Sequence, residues 1–188
     1  MSDTMVNLRR KIGGAGDLQS VVRTMKALAA ASIGQYEQSV KALADYARTV
    51  ELGLSVCFRE DPPMILPGEQ QRHTPKGAIG ALVFGSDQGL VGQFNEVVAD
   101  YAVKTLAALP GHPKLWAVGE RVQGHLAEAG LRLQGFFPVP TSVKAITPLV
   151  GQILLECETR RSRGEIAELH LFYNRPTSRV VYAPINQR

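Results

Sequence analysis

Gly85 to Asn95, reading GSDQGLVGQFN, is the segment with the most residues able to do chemistry. It follows a short apolar run and precedes a helical pattern. In doubly wound folds such a turn binds phosphates, because its glycines let the backbone approach and the helix start offers free N–H groups. Yet Gly85, Gly89 and Gly92 are spaced G-x-x-x-G-x-x-G, which is neither a dinucleotide fingerprint nor a P-loop, and no Lys-Ser/Thr pair follows to reach a phosphate or magnesium. Asp87 could act as a base, but aspartate is also a common turn former and helix cap, and the cap is the reading taken here. Ser86 lacks the G-x-S-x-G setting of a nucleophile elbow.

The other candidate ligands and nucleophiles are scattered. His73, His112, His125 and His170 fall in a connector, a turn, a helix and a strand, with no H-x-x-x-H pair, and are read as surface or packing residues. Cys57 and Cys157 lie far apart outside any C-x-x-C or Cys/His pattern, so neither a disulfide framework nor a zinc site is supported. The residues therefore imply no catalytic group, no metal and no cofactor.

A net charge of +4 makes the chain mildly basic. Arg9, Arg10 and Lys11 form one cluster, and Arg160, Arg161 and Arg163 another. The second precedes Gly164, where a helix should end and cations favour the helix dipole. No aromatic stacking motif accompanies either cluster, so nucleic acid is not an expected partner. The apolar runs are too short to span a bilayer, and the N-terminus lacks the pattern of a signal peptide, which points to a cytosolic protein.

What must position the glycine loop is an alternation of elements. Ile79 to Phe84 reads as a buried strand and Asn95 to Leu109 as a helix stopped by Pro110 and Gly111. Lys114 to Val118 is a second strand, Glu120 to Ala129 a second helix, and Leu131 to Val139 a third strand. Pro148 to Arg163, beginning around Lys144, is a third helix. Ile166 to Tyr173 and Arg179 to Ala183 are the last strands, joined by a turn over Asn174 to Ser178. This is a small Rossmann-like α/β domain with a mostly parallel five-stranded sheet, its last pair antiparallel.

Ahead of it runs a very different pattern. Leu8, Ile12, Ala15, Val22, Ala29, Ile33, Tyr36, Val40, Leu43, Ala47, Val50 and Leu54 keep an alternating four-three repeat, with Gln19 and Lys26 as polar interruptions. That is a coiled-coil seam on one long helix. Such a helix is longer than a small domain is wide, and the sequence contains no second helix of matching length to cover it. The expected organisation is an N-terminal coiled-coil helix over 1–58, a Pro-rich linker over 59–77 and the α/β domain over 78–188.

Two of these segments resemble the gamma subunit family of rotary F-type ATP synthases. Leu18 to Ile33 (LQSVVRTMKALAAASI) is similar to that family's T-x-K-I-T-x-A-M-x-x-V-A-A-A-K-L stretch through Val21, Met25, Lys26, Leu28 and the run Ala29, Ala30, Ala31. Its S-D-R-G-L-C-G-G-F-N loop is matched by Ser86, Asp87, Gly89, Leu90, Gly92, Phe94 and Asn95, and the order of elements agrees through Tyr173 and Asn174. The resemblance implies a non-catalytic central stalk that couples ion-driven rotation of the c-ring to ATP synthesis or hydrolysis in the beta subunits. Its partners would be the alpha and beta subunits, the epsilon subunit and the c-ring. Membrane association, on the inner face of the bacterial plasma membrane, would come only through that complex.

By the same resemblance Met25 and Lys26, with Arg9 and Arg10 second, are candidates for beta-subunit contact, and Asp87, Gln88 and Gly89 for contacts of the foot with epsilon or the c-ring. The family's helix pairs with a C-terminal helix, which would still be to come after Arg188, so the chain resembles a fragment or a shortened form. Gly13, Gly14 and Gly16 replace helix formers, at about 1 kcal/mol each against alanine. Gln88, Val91 and Gln93 stand where the family has Arg, Cys and Gly, which suggests a divergent branch such as an alternative ion-pumping ATPase; a gene lying in a sole, ordinary ATP synthase operon would argue against it. Two other classes compete: a homodimeric coiled-coil adaptor, and a nucleotide-binding α/β enzyme with a dimerising helix.

Overall fold

The computed structural model describes residues 2–60, 77–178 and 181–188. The chain divides into two compact units, Met1–Met64 and Ile65–Arg188. Most of the expected 59–77 linker lies outside the described residues, as do Arg179 and Val180.

In the first unit, α1 (Ser2–Glu60) is one continuous helix of 59 residues. At 1.5 Å per residue it extends close to 90 Å. Gly13, Gly14 and Gly16 lie within it without interrupting it, and a Cβ at any of the three would meet nothing within 4 Å. The expected seam is laid out along the surface: Leu8, Ile12, Val22, Ile33, Val40, Leu43 and Leu54 are all exposed, Val40 at 67%. A helix this long gains most of its stability from packing an apolar face, and among the described residues the apolar side chains of this stripe stay exposed.

The second unit is a sheet with helices on both faces. Its elements run β1 (Ala78–Phe84), α2 (Phe94–Ala107), β2 (Lys114–Val118), α3 (Glu120–Glu128), β3 (Leu133–Phe137), a 3-10 turn (Val143–Ala145), α4 (Ile146–Ser162), β4 (Ile166–Pro176) and β5 (Tyr182–Gln187). The strand order is β3-β2-β1-β4-β5. All pairs are parallel except β4 with β5. Ala81 and Val83 face one side, with Val98, Ala102, Val122, Leu126 and Phe172. Leu82 faces the other, with Trp116, Val118 and Ile153. The alternation of β1 residues between two cores is the period-two geometry of a strand buried on both faces.

The elements agree with the sequence reading in type and order, and differ at their ends for local reasons. β3 is shorter than Leu131 to Val139 because both ends are committed elsewhere. The Leu131 N–H donates to the Leu126 carbonyl, closing α3 behind Gly130 at φ +78°, and the Val139 N–H donates to Asp87 Oδ2 at 3.0 Å. Among the described residues the last strand is Tyr182–Gln187, so it runs on past the Ala183 end expected from sequence, while Arg179 and Val180 of that expectation lie outside the described residues. The Val181 carbonyl accepts the Thr177 and Ser178 N–H groups and so belongs to the turn. Pro184 pairs with Asn174 inside the ladder, which an edge strand tolerates.

Candidate functional site

Two regions carry the candidate residues. On α1, Arg9, Arg10 and Lys26 are exposed and Met25 is half-buried. They lie on the same helix as the exposed apolar stripe, and among the described residues of the first unit nothing draws them together into a site.

The loop after β1 is built quite differently. The Gly85 N–H donates to the Val118 carbonyl at 2.8 Å, which brings the β1 end against the start of α3. A Cβ on Gly85 would stand 2.4 Å from Val122 Cβ and 2.6 Å from Asn95 Oδ1, so only glycine fits. Asn95, 4% exposed, accepts the Ser86 N–H on Oδ1 at 2.8 Å and donates from Nδ2 to Ser86 Oγ at 2.9 Å. Ser86 Oγ in turn donates to the Gln88 carbonyl.

Asp87 reaches across to two other strand ends. Its Oδ1 accepts the Glu120 N–H at 2.7 Å and its Oδ2 the Val139 N–H at 3.0 Å. It is a cap, as the sequence reading held, but of α3 rather than of the helix its own loop leads into. One carboxylate therefore ties the β1, β2 and β3 ends together, with both oxygens used on backbone donors. That leaves Asp87 poorly placed to act as a base.

Gly89 has the Arg121 guanidinium against it, 3.1 Å from where a Cβ would be. Gln88 stands where the resembling family has arginine, and α3 brings a guanidinium to the neighbouring position. Sequence reasoning missed Arg121 because its effect depends on the turn of α3 against the loop. Asn174 was also missed: from the end of β4 its Nδ2 donates to the Phe94 carbonyl at 2.7 Å, pinning the start of α2, while its Oδ1 is buried without a partner among the described residues.

The remaining titratable groups serve packing and pairing. His170 is buried on β4, with Nε2 2.7 Å from Glu168 Oε1 and Nδ1 within hydrogen-bond reach of the Asn186 amide. His125 lies 3.8 Å from Glu128, and His73 is outside the described residues. Glu165 accepts from Lys114 Nζ at 2.6 Å and from Arg160 at 2.8 Å, and these two cations hold its carboxyl down to about 2. Arg160, from the second basic cluster, also pairs with Glu156 and lies 6.0 Å over the Trp116 ring. Burial, helped by the charge of Glu156, pushes the Cys157 thiol up, the opposite of an activated cysteine. Among the described residues, no three His, Cys, Asp or Glu are placed to hold a metal ion. No helix among them is long and apolar enough to cross a membrane.

Comparison with known proteins gives this geometry its context. Residues 4–188 match the family model described as ATP synthase. The ATP synthase gamma chain of Mycobacterium tuberculosis (strain ATCC 25177 / H37Ra) is 26% identical over 191 residues, covering 92% of this chain and 61% of that one. That of Desulfitobacterium hafniense is 24% identical over 178 residues, covering 95% of this chain and 62% of its own. The chain thus spans about three fifths of the length of these relatives. In a structure of the central stalk and c-ring of the Tetrahymena thermophila mitochondrial ATP synthase, one chain shares the fold with a TM-score of 0.51 at 19% identity, over 58% of this chain and 48% of that chain. A long helix ahead of a five-stranded α/β unit, with a family match over nearly every residue, places this chain in the ATP synthase gamma family.

Proposed function

We propose that the chain acts as the central-stalk subunit of a rotary ATP synthase, transmitting torque rather than making or breaking bonds. The observation that carries this reading is α1: a helix of 59 residues whose apolar seam is exposed throughout, in a chain of the gamma family. In this reading residues 1–58 are the shaft helix, 59–77 a linker and 78–188 the foot. The shaft turns within alternating alpha and beta subunits, and the foot sits beside epsilon and the c-ring, on the cytoplasmic side of the bacterial plasma membrane.

Coupling of this kind needs contact energies that differ between rotor angles, since a rod bound equally well by every beta conformation would shift nothing. Met25, Lys26, Arg9 and Arg10 are the proposed beta-subunit contacts, because a basic stretch beside an apolar seam suits acidic levers. Asp87, Gln88 and Gly89 are the proposed foot contacts. For Asp87 the role is positioning, since its carboxylate holds three strand ends and leaves Gln88 and Gly89 to face outward beside Arg121. Nucleotide binding at this loop is disfavoured because its polar side chains are spent on one another and on backbone groups.

The test is assembly with cognate alpha and beta subunits, weighed by light scattering after size exclusion. One copy per alpha/beta hexamer, with ATPase activity that falls on Met25→Ala or Lys26→Ala, is the expected result. A free dimer that ignores the hexamer would reject the reading in favour of the coiled-coil adaptor.

A further inference from the structure

The free edge of β3 and the groove beside it lie apart from both regions described above. Of the large apolar side chains that the α/β unit exposes among its described residues, Leu90 and Val181 lie in loops. Phe136 of β3 and Leu155 of α4 instead line one groove, Leu155 at 68% exposure, while Val150 and Leu154 lie elsewhere on α4. Between β3 and α4 runs a groove of about 490 Å³, walled by Phe136, Phe137 and Leu155, with Trp116 and Gly135 at its floor. Gly135 keeps it open and lets the indole lie under the strand: a Cβ there would stand 2.9 Å from Trp116 Cδ1.

Among the described residues β3 is an edge strand, paired only with β2. The Phe137 carbonyl accepts the Gly119 N–H at 2.9 Å, so residue 137 turns its main chain inward. The β2–β3 register shifts between Leu133 and Gly135 and is regular from Gly135 to Phe137, so alternation turns the N–H and C=O of Phe136 outward, along the groove. An exposed edge of this kind is a template for an added strand, with main-chain bonds giving affinity and the adjoining pocket taking alternate side chains. A helix could use the pocket but not the edge, since its own backbone groups are already paired.

Charge narrows the partner further. At the start of β3, Arg132 lines a second groove with His112, Lys114 and Gln134. There Lys114, Arg160 and Arg163 all converge on Glu165, at 2.6, 2.8 and 4.0 Å, and Arg160 also takes Glu156. Cations outnumber carboxylates at this end of the sheet, which suits an acidic segment and disfavours a second copy carrying the same basic end. We propose that the β3 edge and the β3–α4 groove form a strand-addition site for an extended segment of another polypeptide in which apolar and acidic residues alternate. This does not depend on the shaft reading, because it uses only the α/β unit.

Trp116 is the chain's single tryptophan, so the groove reports on itself. The experiment is to titrate the full chain with a short synthetic peptide alternating valine and glutamate, following tryptophan emission. A saturable change is expected, weakened at least about tenfold by Phe136→Pro, which removes the outward N–H, and similarly by Leu155→Glu at an exposed position. A flat titration would overturn the proposal, as would an equal response to a peptide alternating valine and lysine, or undiminished binding by both variants. Light scattering that shows dimers dispersed by Leu155→Glu would assign the edge to a second copy and overturn it too.

Discussion

The two halves of this chain spend their apolar residues in opposite ways. In the α/β unit, Trp116, Phe172, Leu82 and Leu126 are all within 2% of complete burial, and the loop polar groups are paired among themselves. In α1, residues of the same types stand 40–67% exposed: Leu8, Ile12, Val22, Ile33, Val40, Leu43 and Val50. Fully burying one such side chain contributes about 1.5–3 kcal/mol, so the helix carries a large unrealised binding energy. Among the described residues the first unit thus leaves its apolar side chains exposed, whereas the second buries its own core. The proposed shaft role would use that division: a foot that keeps its shape under load, and a rod whose contacts are made with other surfaces.

The contrast is broken most forcefully by removing a side chain from each half. Phe172→Ala empties a wholly buried site between α2 and the sheet and should cost about 4 kcal/mol, read as a lowered denaturant midpoint for the α/β unit. Leu43→Ala, at 62% exposure, should leave that transition unchanged and instead weaken the proposed co-assembly with alpha and beta subunits. If Leu43→Ala unfolded the isolated chain, α1 would be packed rather than waiting.

Asp87→Ala comes next, at about 2 kcal/mol, because it strips the α3 cap and leaves the Val139 N–H without its acceptor. The loss should appear in chemical denaturation and as faster amide exchange at Glu120 and Val139. An unchanged midpoint would show that the strand ends hold together without the carboxylate.

How far these roles could be read from sequence follows the same division. The seam was legible because a coiled-coil repeat is a property of spacing alone, and Leu8 to Leu54 keep it whether or not a partner is present. Strands such as Lys114–Val118 were legible because a doubly buried strand is a run of apolar residues between turn formers. The glycine loop was only half legible. Glycines at 85 and 89 mark a close approach, but the groups approaching them, Val122 and Arg121, come from another element. For the same reason Asp87 could be read as a cap, while the helix it caps could not. The resemblance to the gamma family supplied what spacing left open among the competing function classes, and the match over residues 4–188 supports the same assignment.

A smaller effect, of opposite sign, sharpens the picture of α1. A Cβ at Gly14 meets nothing within 4 Å, so Gly14→Ala should stabilise the helix by about 1 kcal/mol without a clash. Slower amide exchange around residues 10–18, with no change in the α/β unit, would register it. A drop in hexamer-coupled ATPase activity on the same change would show that the glycine segment is kept for compliance.

The last expectation concerns acid and reaches only the α/β unit. Glu165 is lowered to about 2, chiefly by the hydrogen bond from Lys114 and then by that from Arg160. A carboxyl whose folded pKa is depressed adds stability that is fully present above its unfolded value, near 4.5, and lost as pH falls through the folded value. Between about pH 4.5 and pH 2, therefore, the native chain should shed the contribution of this cluster, which joins the start of β2 to the end of α4 and the start of β4. Lys114→Met removes the first-named cause, so its unfolding midpoint should depend less steeply on pH than that of the unaltered chain across this window. Because Lys114 and Glu165 are each about a quarter exposed, the effect should also shrink in high salt. Equal acid sensitivity in both proteins would assign the acid response to other carboxylates and leave the Lys114–Glu165–Arg160 cluster a geometric feature without a measurable share in stability.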